Sequence, residues 1–176
     1  MIRLFVVCLL AVIPAAAQDY WHRAAGSLGA LMPQSGVQAD RFKNAATLSF
    51  DYGFRFHRHG QFDGGIDTAF GKERGTDTRR NIYIPRVGYR VIVPVWQDRV
   101  ETHLGFGGAH SLLKPSIDGY QSWLVYGQIG ANYAIDVDRK YRAGFTLRWL
   151  RDPIGRPVQQ WIGFAGEISY NWGKGL

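Results

Sequence analysis

Residues 141–150 read YRAGFTLRWL. Tyr141, Ala143, Phe145, Leu147 and Trp149 alternate with Arg142, Gly144, Thr146, Arg148 and Leu150. Successive side chains of a strand point to opposite faces, so this stretch is a strand with one apolar face and one polar face. The direction of the apolar face decides the fold. Turned outward, it belongs to a barrel in lipid; turned inward, to a soluble barrel with a wet exterior.

The chain has 176 residues, enough for one domain with a full core or one closed barrel. Aromatics at 14% and 22 glycines suit β structure with tight turns. Residues 1–17, MIRLFVVCLLAVIPAAA, carry one early cation, Arg3, then an apolar run, then three alanines. This is the pattern of a secretory leader, with cleavage expected between Ala17 and Gln18 and a single domain over 18–176. The run is too short to span a bilayer well. Cys8 would leave with the leader, so no disulfide framework is expected in what remains. Export also makes nucleic acid a poor match for the net charge of +7. No later segment reads as a membrane-spanning helix. An exported chain of this kind is soluble or a β-barrel.

Outward from the opening strand, alternation and turn signals predict eight strands: 22–32, 46–57, 61–71, 81–93, 99–111, 121–135, 140–150 and 158–172. The first, HRAAGSLGALM, alternates poorly. The connections run long (PQSGVQADRFKNA), short (RHG), long (KERGTDTRRN), short (PVWQD), long (LLKPSIDGY), short (DVDR) and intermediate (RDPIGRP). That rhythm fits an up-and-down barrel with tight turns at one end and longer loops at the other.

Three features address which face meets water. All five lysines, Lys43, Lys72, Lys114, Lys140 and Lys174, fall in loops, turns or strand ends, whereas a wet strand face would carry some. The polar faces instead carry arginine, acids and small residues such as Gly105, Gly107, Gly144, Gly163 and Ala165, which suit a crowded interior. The charges there balance: Asp51, Asp63, Asp67, Glu101 and Glu167 against Arg55, Arg86, Arg90, Arg142 and Arg148. Charges in a low-dielectric interior need partners, and the planar arginine fork bonds two oxygens at once. Finally, Phe62 and Phe70, Trp123 and Tyr133, and Tyr141 and Trp149 sit toward opposite ends of their apolar faces. On strands tilted roughly 40° each pair spans ~20–26 Å along the barrel axis, close to the apolar band of a membrane barrel. Aromatic girdles are expected at both interfaces. The sequence therefore predicts an all-β, eight-stranded antiparallel transmembrane barrel with a lumen charge network. A soluble, lipocalin-like ligand-binding barrel is the alternative, although the first strand lacks that family's Gly-x-Trp signature.

In the last strand, VQQWIGFAGEISYNW, Ile162, Phe164, Ile168, Tyr170 and Trp172 line one face. With the leader, strand count and loop asymmetry, this resembles the small outer-membrane β-barrels of Gram-negative bacteria, such as the transmembrane domain of outer membrane protein A. The terminal aromatic, Trp172, is followed by GKGL, a slight displacement from that family's usual ending. The resemblance implies location in the outer membrane as a monomer. Its implied partners are membrane lipids, lipopolysaccharide and the barrel-assembly machinery. It leaves function open, because the family includes anchors, adhesins, small pores and lipid A-modifying enzymes.

Chemistry is sparse. The loop KERGTDTRRN sets Lys72, Arg74, Arg79 and Arg80 against Glu73 and Asp77 and suggests contact with lipopolysaccharide phosphates or acidic surfaces; a solvated loop is the plainer reading. His110 and Ser111 stand near a loop, but adjacent strand residues face opposite ways. The lipid A 3-O-deacylases, which use a His, Ser and Glu set, resemble His-x-Ser-Asn at that place, so no catalytic group is expected here. His103 shares a face with Glu101 and reads as an interior hydrogen-bonding group. His57 and His59 lack a third ligand nearby, so no metal and no cofactor are expected. A narrow, porin-like anion path along Arg86, Arg90, Arg142 and Arg148 is the main functional alternative to a structural or surface-interaction role.

Overall fold

The computed structural model describes residues 20–34, 36–76, 78–117, 121–154 and 158–174. The expected leader and Asp77 lie outside them. The elements are β1 (Tyr20–Pro33), α1 (Gly36–Arg41), β2 (Ala45–His57), β3 (Gly60–Lys72), β4 (Arg79–Val95), β5 (Val100–Lys114), β6 (Ser122–Ala134), β7 (Tyr141–Arg151) and β8 (Gln160–Lys174). Each strand pairs antiparallel with its neighbour, and β1 pairs with β8, so the sheet closes into an eight-stranded barrel. All eight expected strands are present, with ends moved by a few residues. The short helix α1, in the first long connection, is an addition that a polar hexamer without apolar periodicity does not announce.

The opening stretch forms nearly all of β7. Tyr141, Phe145, Leu147 and Trp149 point outward and are exposed, whereas Arg142, Thr146 and Leu150 are buried. The same alternation continues round the barrel. Phe50, Phe62, Phe106, Ile129 and Ile168 stand on the outside, and Asp51, Asp63, Gln128 and Glu167 on the inside. The apolar face is therefore the outer one. The lipocalin-like alternative, which needs it inside, is overturned.

The two ends differ. The β2–β3, β4–β5 and β6–β7 turns close one end tightly. In the β4–β5 turn Trp96, Gln97 and Asp98 all adopt left-handed backbone, at φ 49°, 56° and 61°. Such residues carry local strain that surrounding contacts must hold. Asp98 supplies these contacts: its carboxylate accepts from Arg58 at 3.1 Å and Arg139 at 3.4 Å, and its carbonyl accepts from Arg142 at 3.2 Å. One residue thus ties all three turns together.

At the long-loop end an apolar cluster fills much of the interior, with Gln38, Ser111 and Gln159 buried beside it, which corrects the expectation of a polar lumen throughout. Ile82, Ile84, Leu113, Leu124, Leu150 and Trp161 are buried there, and Phe42, just after α1, packs on Trp161 with ring centroids 5.9 Å apart. These residues occupy inward positions at strand ends. A pattern of alternation gives their face but not their height, and height is what separates plug from charge network.

Candidate functional site: the charged interior and the basic rim

Below the plug, the charged side chains form four groups. Asp67 on β3 is the hub of the first. Arg86 gives it a forked pair of hydrogen bonds at 3.0 and 3.1 Å and also meets Asp51 at 2.5 Å. Arg148 reaches Asp67 from the far wall, with Nη1 2.7 and 2.9 Å from the two carboxylate oxygens, and contacts Gln128 Oε1 at 3.3 Å. In the second group Asp63 accepts from Arg90 at 2.7 Å and Gln61 at 2.5 Å. In the third, Arg23 pairs with Glu167 across the β1–β8 seam. In the fourth, the fork of Arg55 bonds both oxygens of Glu101 at 3.2 Å, and Arg142 meets the same carboxylate at 3.4 Å. His103 lies near this set, with Nε2 3.4 Å from Thr146 Oγ1.

Every interior residue singled out from sequence lies inside the barrel, and each charged one has an oppositely charged partner. The charge count needs correction. Arg23 adds a sixth arginine, so the layer below the plug holds six arginines against five acids among the described residues, while the further buried acids Glu73 and Asp152 lie at the long-loop end. Poor alternation in the first strand hid Arg23. Toward the tight-turn end Arg23 Nη1, Arg55 Nε, Arg90 Nη2 and Arg142 Nη1 are buried without an acceptor, and Gln61 Oε1 and Asn132 Oδ1 are buried without a donor. Gln61, Gln128 and Tyr126 also belong to this interior and were missed, because an uncharged polar residue on one strand carries no sign of its partner.

Inward glycines make the room. A Cβ on Gly65 would overlap the Asp51 carboxylate, and one on Gly88 would overlap the Tyr126 hydroxyl. Each glycine thus leaves space for a long polar neighbour, as close approach requires.

Outside, Phe62, Phe70, Trp123, Tyr133, Tyr141, Trp149 and Tyr170 are exposed and Trp172 is half-exposed. The distribution is uneven. At the tight-turn end Tyr141 packs tilted on Tyr170, and Tyr170 stacks on Trp172, with centroids 4.9 and 5.8 Å apart. His22 joins them at 5.5 Å from Trp172, and its Nδ1 lies 2.7 Å from the Tyr52 hydroxyl. At the long-loop end Phe70, Trp123 and Trp149 stand farther apart, with His110 packed edge-on to Trp123 at 4.8 Å.

The basic loop divides into two kinds of residue. Glu73 is turned inward and accepts from Arg41 at 2.9 Å and Arg80 at 3.0 Å. Arg80 also reaches the Pro115 carbonyl at 2.8 Å, and Arg74 the Phe42 carbonyl at 3.1 Å. These contacts fasten three connections into one cap. Burial pushes the Glu73 carboxyl up, but the Arg41 and Arg80 hydrogen bonds outweigh it and hold it below the usual carboxylate range. Lys72 and Arg79 remain exposed.

The histidines assemble no reactive centre. His110 faces outward and Ser111 inward, where its hydroxyl donates to Gln159 Oε1 at 3.0 Å. His59 Nδ1 lies 2.9 Å from the Ile92 carbonyl, and the His57 and His59 rings are 5.9 Å apart. No group of three potential metal ligands occurs among the described residues.

No family model matches the sequence, and no curated protein matches it either. Solved structures do. Neisserial surface protein A matches at 12% identity and a TM-score of 0.65, covering 89% of this chain and all of that one. The outer membrane protein OprG from Pseudomonas aeruginosa matches at 9% identity and 0.60, covering 89% and 98%. The attachment invasion locus protein Ail of Yersinia pestis, solved with the heparin analogue sucrose octasulfate, matches at 12% identity and 0.51, covering 85% and 99%. The fold is that of the small eight-stranded outer-membrane barrels.

Proposed function

We propose that this chain is an exported, monomeric barrel of the bacterial outer membrane that serves as a structural anchor and surface-interaction element. The single observation that carries this is the outer surface: a continuous apolar sheet face closed on itself and bordered by aromatics at both ends. Such a surface is stable in hydrocarbon, where closure satisfies every backbone group. The tight turns then face the periplasm and the capped loop end faces outward, as in barrels of this architecture. Assembly would pass through the barrel-assembly machinery, read from the outward face of β8, with lipids and lipopolysaccharide as surroundings.

The interior supports an anchoring role over a conducting one. Arg86, Arg90, Arg142 and Arg148 are each tied to a carboxylate, and the long-loop end is filled by the apolar plug. Eight strands leave an interior that side chains can fill. The opposed faces of His110 and Ser111 favour a non-enzymatic role, since a base must reach its nucleophile.

Fractionation of expressing cells, followed by electrophoresis with and without boiling, tests the location. The expected result is a detergent-dependent outer-membrane protein whose mobility shifts on heating. Recovery in a detergent-free periplasmic extract would overturn it. Planar-bilayer recording tests the role: the expectation is no conductance above background, and reproducible unitary steps would replace the anchor with a pore.

A further inference from the structure

Three cations at the long-loop end point into the surroundings rather than into the cap. On β3, Lys72 lies two residues beyond Phe70 on the same outward face. Two residues of strand rise by ~7 Å, which on a tilted strand places Lys72 just past the aromatic level. Arg79 on β4 is the direct cross-strand partner of Lys72. Lys114 on β5 pairs with Asn81, two residues along from Arg79, so it lies diagonally next to Arg79. All three side chains are exposed.

This arrangement is unfavourable by itself. Like charges directly opposite across an antiparallel pair destabilise it, and a diagonal neighbour remains within reach of long side chains. No ion pair or side-chain hydrogen bond holds any of the three among the described residues. The nearest described carboxylate of the connecting loop, Glu73, is turned inward and already shared by Arg41 and Arg80. The cap thus takes its own arginines and its own acid, and leaves a row of cations over three adjacent strands at the depth where lipid headgroups begin.

We propose that Lys72, Arg79 and Lys114 form a binding site for the phosphate of a phosphorylated glycolipid in the outer leaflet around the barrel. The inference rests on the reading of this chain as an outer-membrane barrel. The depth argues for lipid over a soluble anion: the site lies on the outer wall beside Phe70, where acyl chains would cover the apolar face below the phosphate. Arg79 offers a planar fork for phosphate oxygens, and the two lysines add point charge.

Native mass spectrometry of the full chain in mild detergent, with bisphosphorylated lipid A as the probe, tests this. The wild type is expected to retain lipid A, with monophosphorylated lipid A held more weakly. The triple variant Lys72→Gln, Arg79→Gln, Lys114→Gln should bind at least about ten-fold more weakly. It should keep its heat-dependent mobility shift, which shows that the fold survives. Lys140→Gln, a charge loss at the opposite end, should bind like wild type. Equal retention by the triple variant overturns the site, as does equal loss in Lys140→Gln, which would reduce the effect to net charge. Displacement of the lipid by inorganic phosphate or a heparin oligosaccharide at comparable concentration also overturns it, in favour of a soluble anion. A protein that needs no detergent and shows no heat shift instead defeats the underlying membrane reading.

Discussion

Arg148 on β7 spans the barrel to Asp67 on β3, with its Nη1 2.7 Å from Oδ2, while Arg86 grips the same carboxylate from the adjacent strand. Opposite walls are thus joined through one acid. Both partners are almost entirely shielded from solvent, so removing the acid leaves two buried cations short of a counter-charge. Asp67→Asn should destabilise the barrel by about 3–5 kcal/mol, the usual cost of breaking a buried pair from one side. Urea unfolding followed by the heat-sensitive gel shift would measure it. A loss under about 1 kcal/mol would show that solvent reaches this pair.

The surplus arginine makes the fourth group asymmetric. Glu101 serves both Arg55 and Arg142, so Glu101→Gln strands two guanidinium groups. Arg142→Met instead removes the surplus charge and leaves Arg55 with its fork intact. The first substitution should cost several kcal/mol and the second at least about 2 kcal/mol less. Equal costs in parallel unfolding titrations would refute the surplus as an energetic feature.

The plug closes the long-loop end through Trp161 and Phe42. Trp161→Ala should cost about 3–5 kcal/mol, as expected for removing a fully buried large aromatic. It should also open a path past the plug, seen as brief conductance steps in a planar bilayer that the parent lacks. A silent bilayer would place the main barrier in the salt-bridged layer below.

The Glu73 latch is pH-dependent with a definite sign. Its carboxyl titrates below its ordinary value in the folded chain, burial opposing and the Arg41 and Arg80 hydrogen bonds prevailing. Its contribution is therefore complete above the unfolded carboxylate pKa of about 4.3 and is lost as pH falls through the folded value. Amide-exchange protection in residues 41–43 and 73–76, followed as pH is lowered from 7, should be lost as pH falls through the folded value. Glu73→Gln should have weak protection throughout.

At the tight-turn end, Asp98→Ala should loosen all three turns together, since its carboxylate bridges Arg58 and Arg139. The expected sign is faster proteolysis near residues 58, 97 and 139 with little change in the unfolding midpoint, because partly exposed pairs contribute only about 0–1 kcal/mol each. Cleavage confined to residue 97 would show that the turns act independently.

Much of this protein is written locally. The alternation of YRAGFTLRWL fixes the two faces of β7, because strand side chains repeat every two residues whatever surrounds them. Placement of Lys72 and Lys114 at strand ends, and the long and short connections, were legible for the same reason. Arg23 was lost where alternation fails, and α1 where a short polar helix has no apolar period. The rest lay beyond any local pattern. That Asp67 meets Arg148, 81 positions away, depends on how eight strands close and tilt. The separation of an apolar plug from a charged layer depends on each residue's height in the closed barrel. Outward Lys72 and Arg79 and the cap-bound Arg74 and Arg80 look alike in sequence. Only the folded cap, which gathers three connections around Glu73, tells them apart.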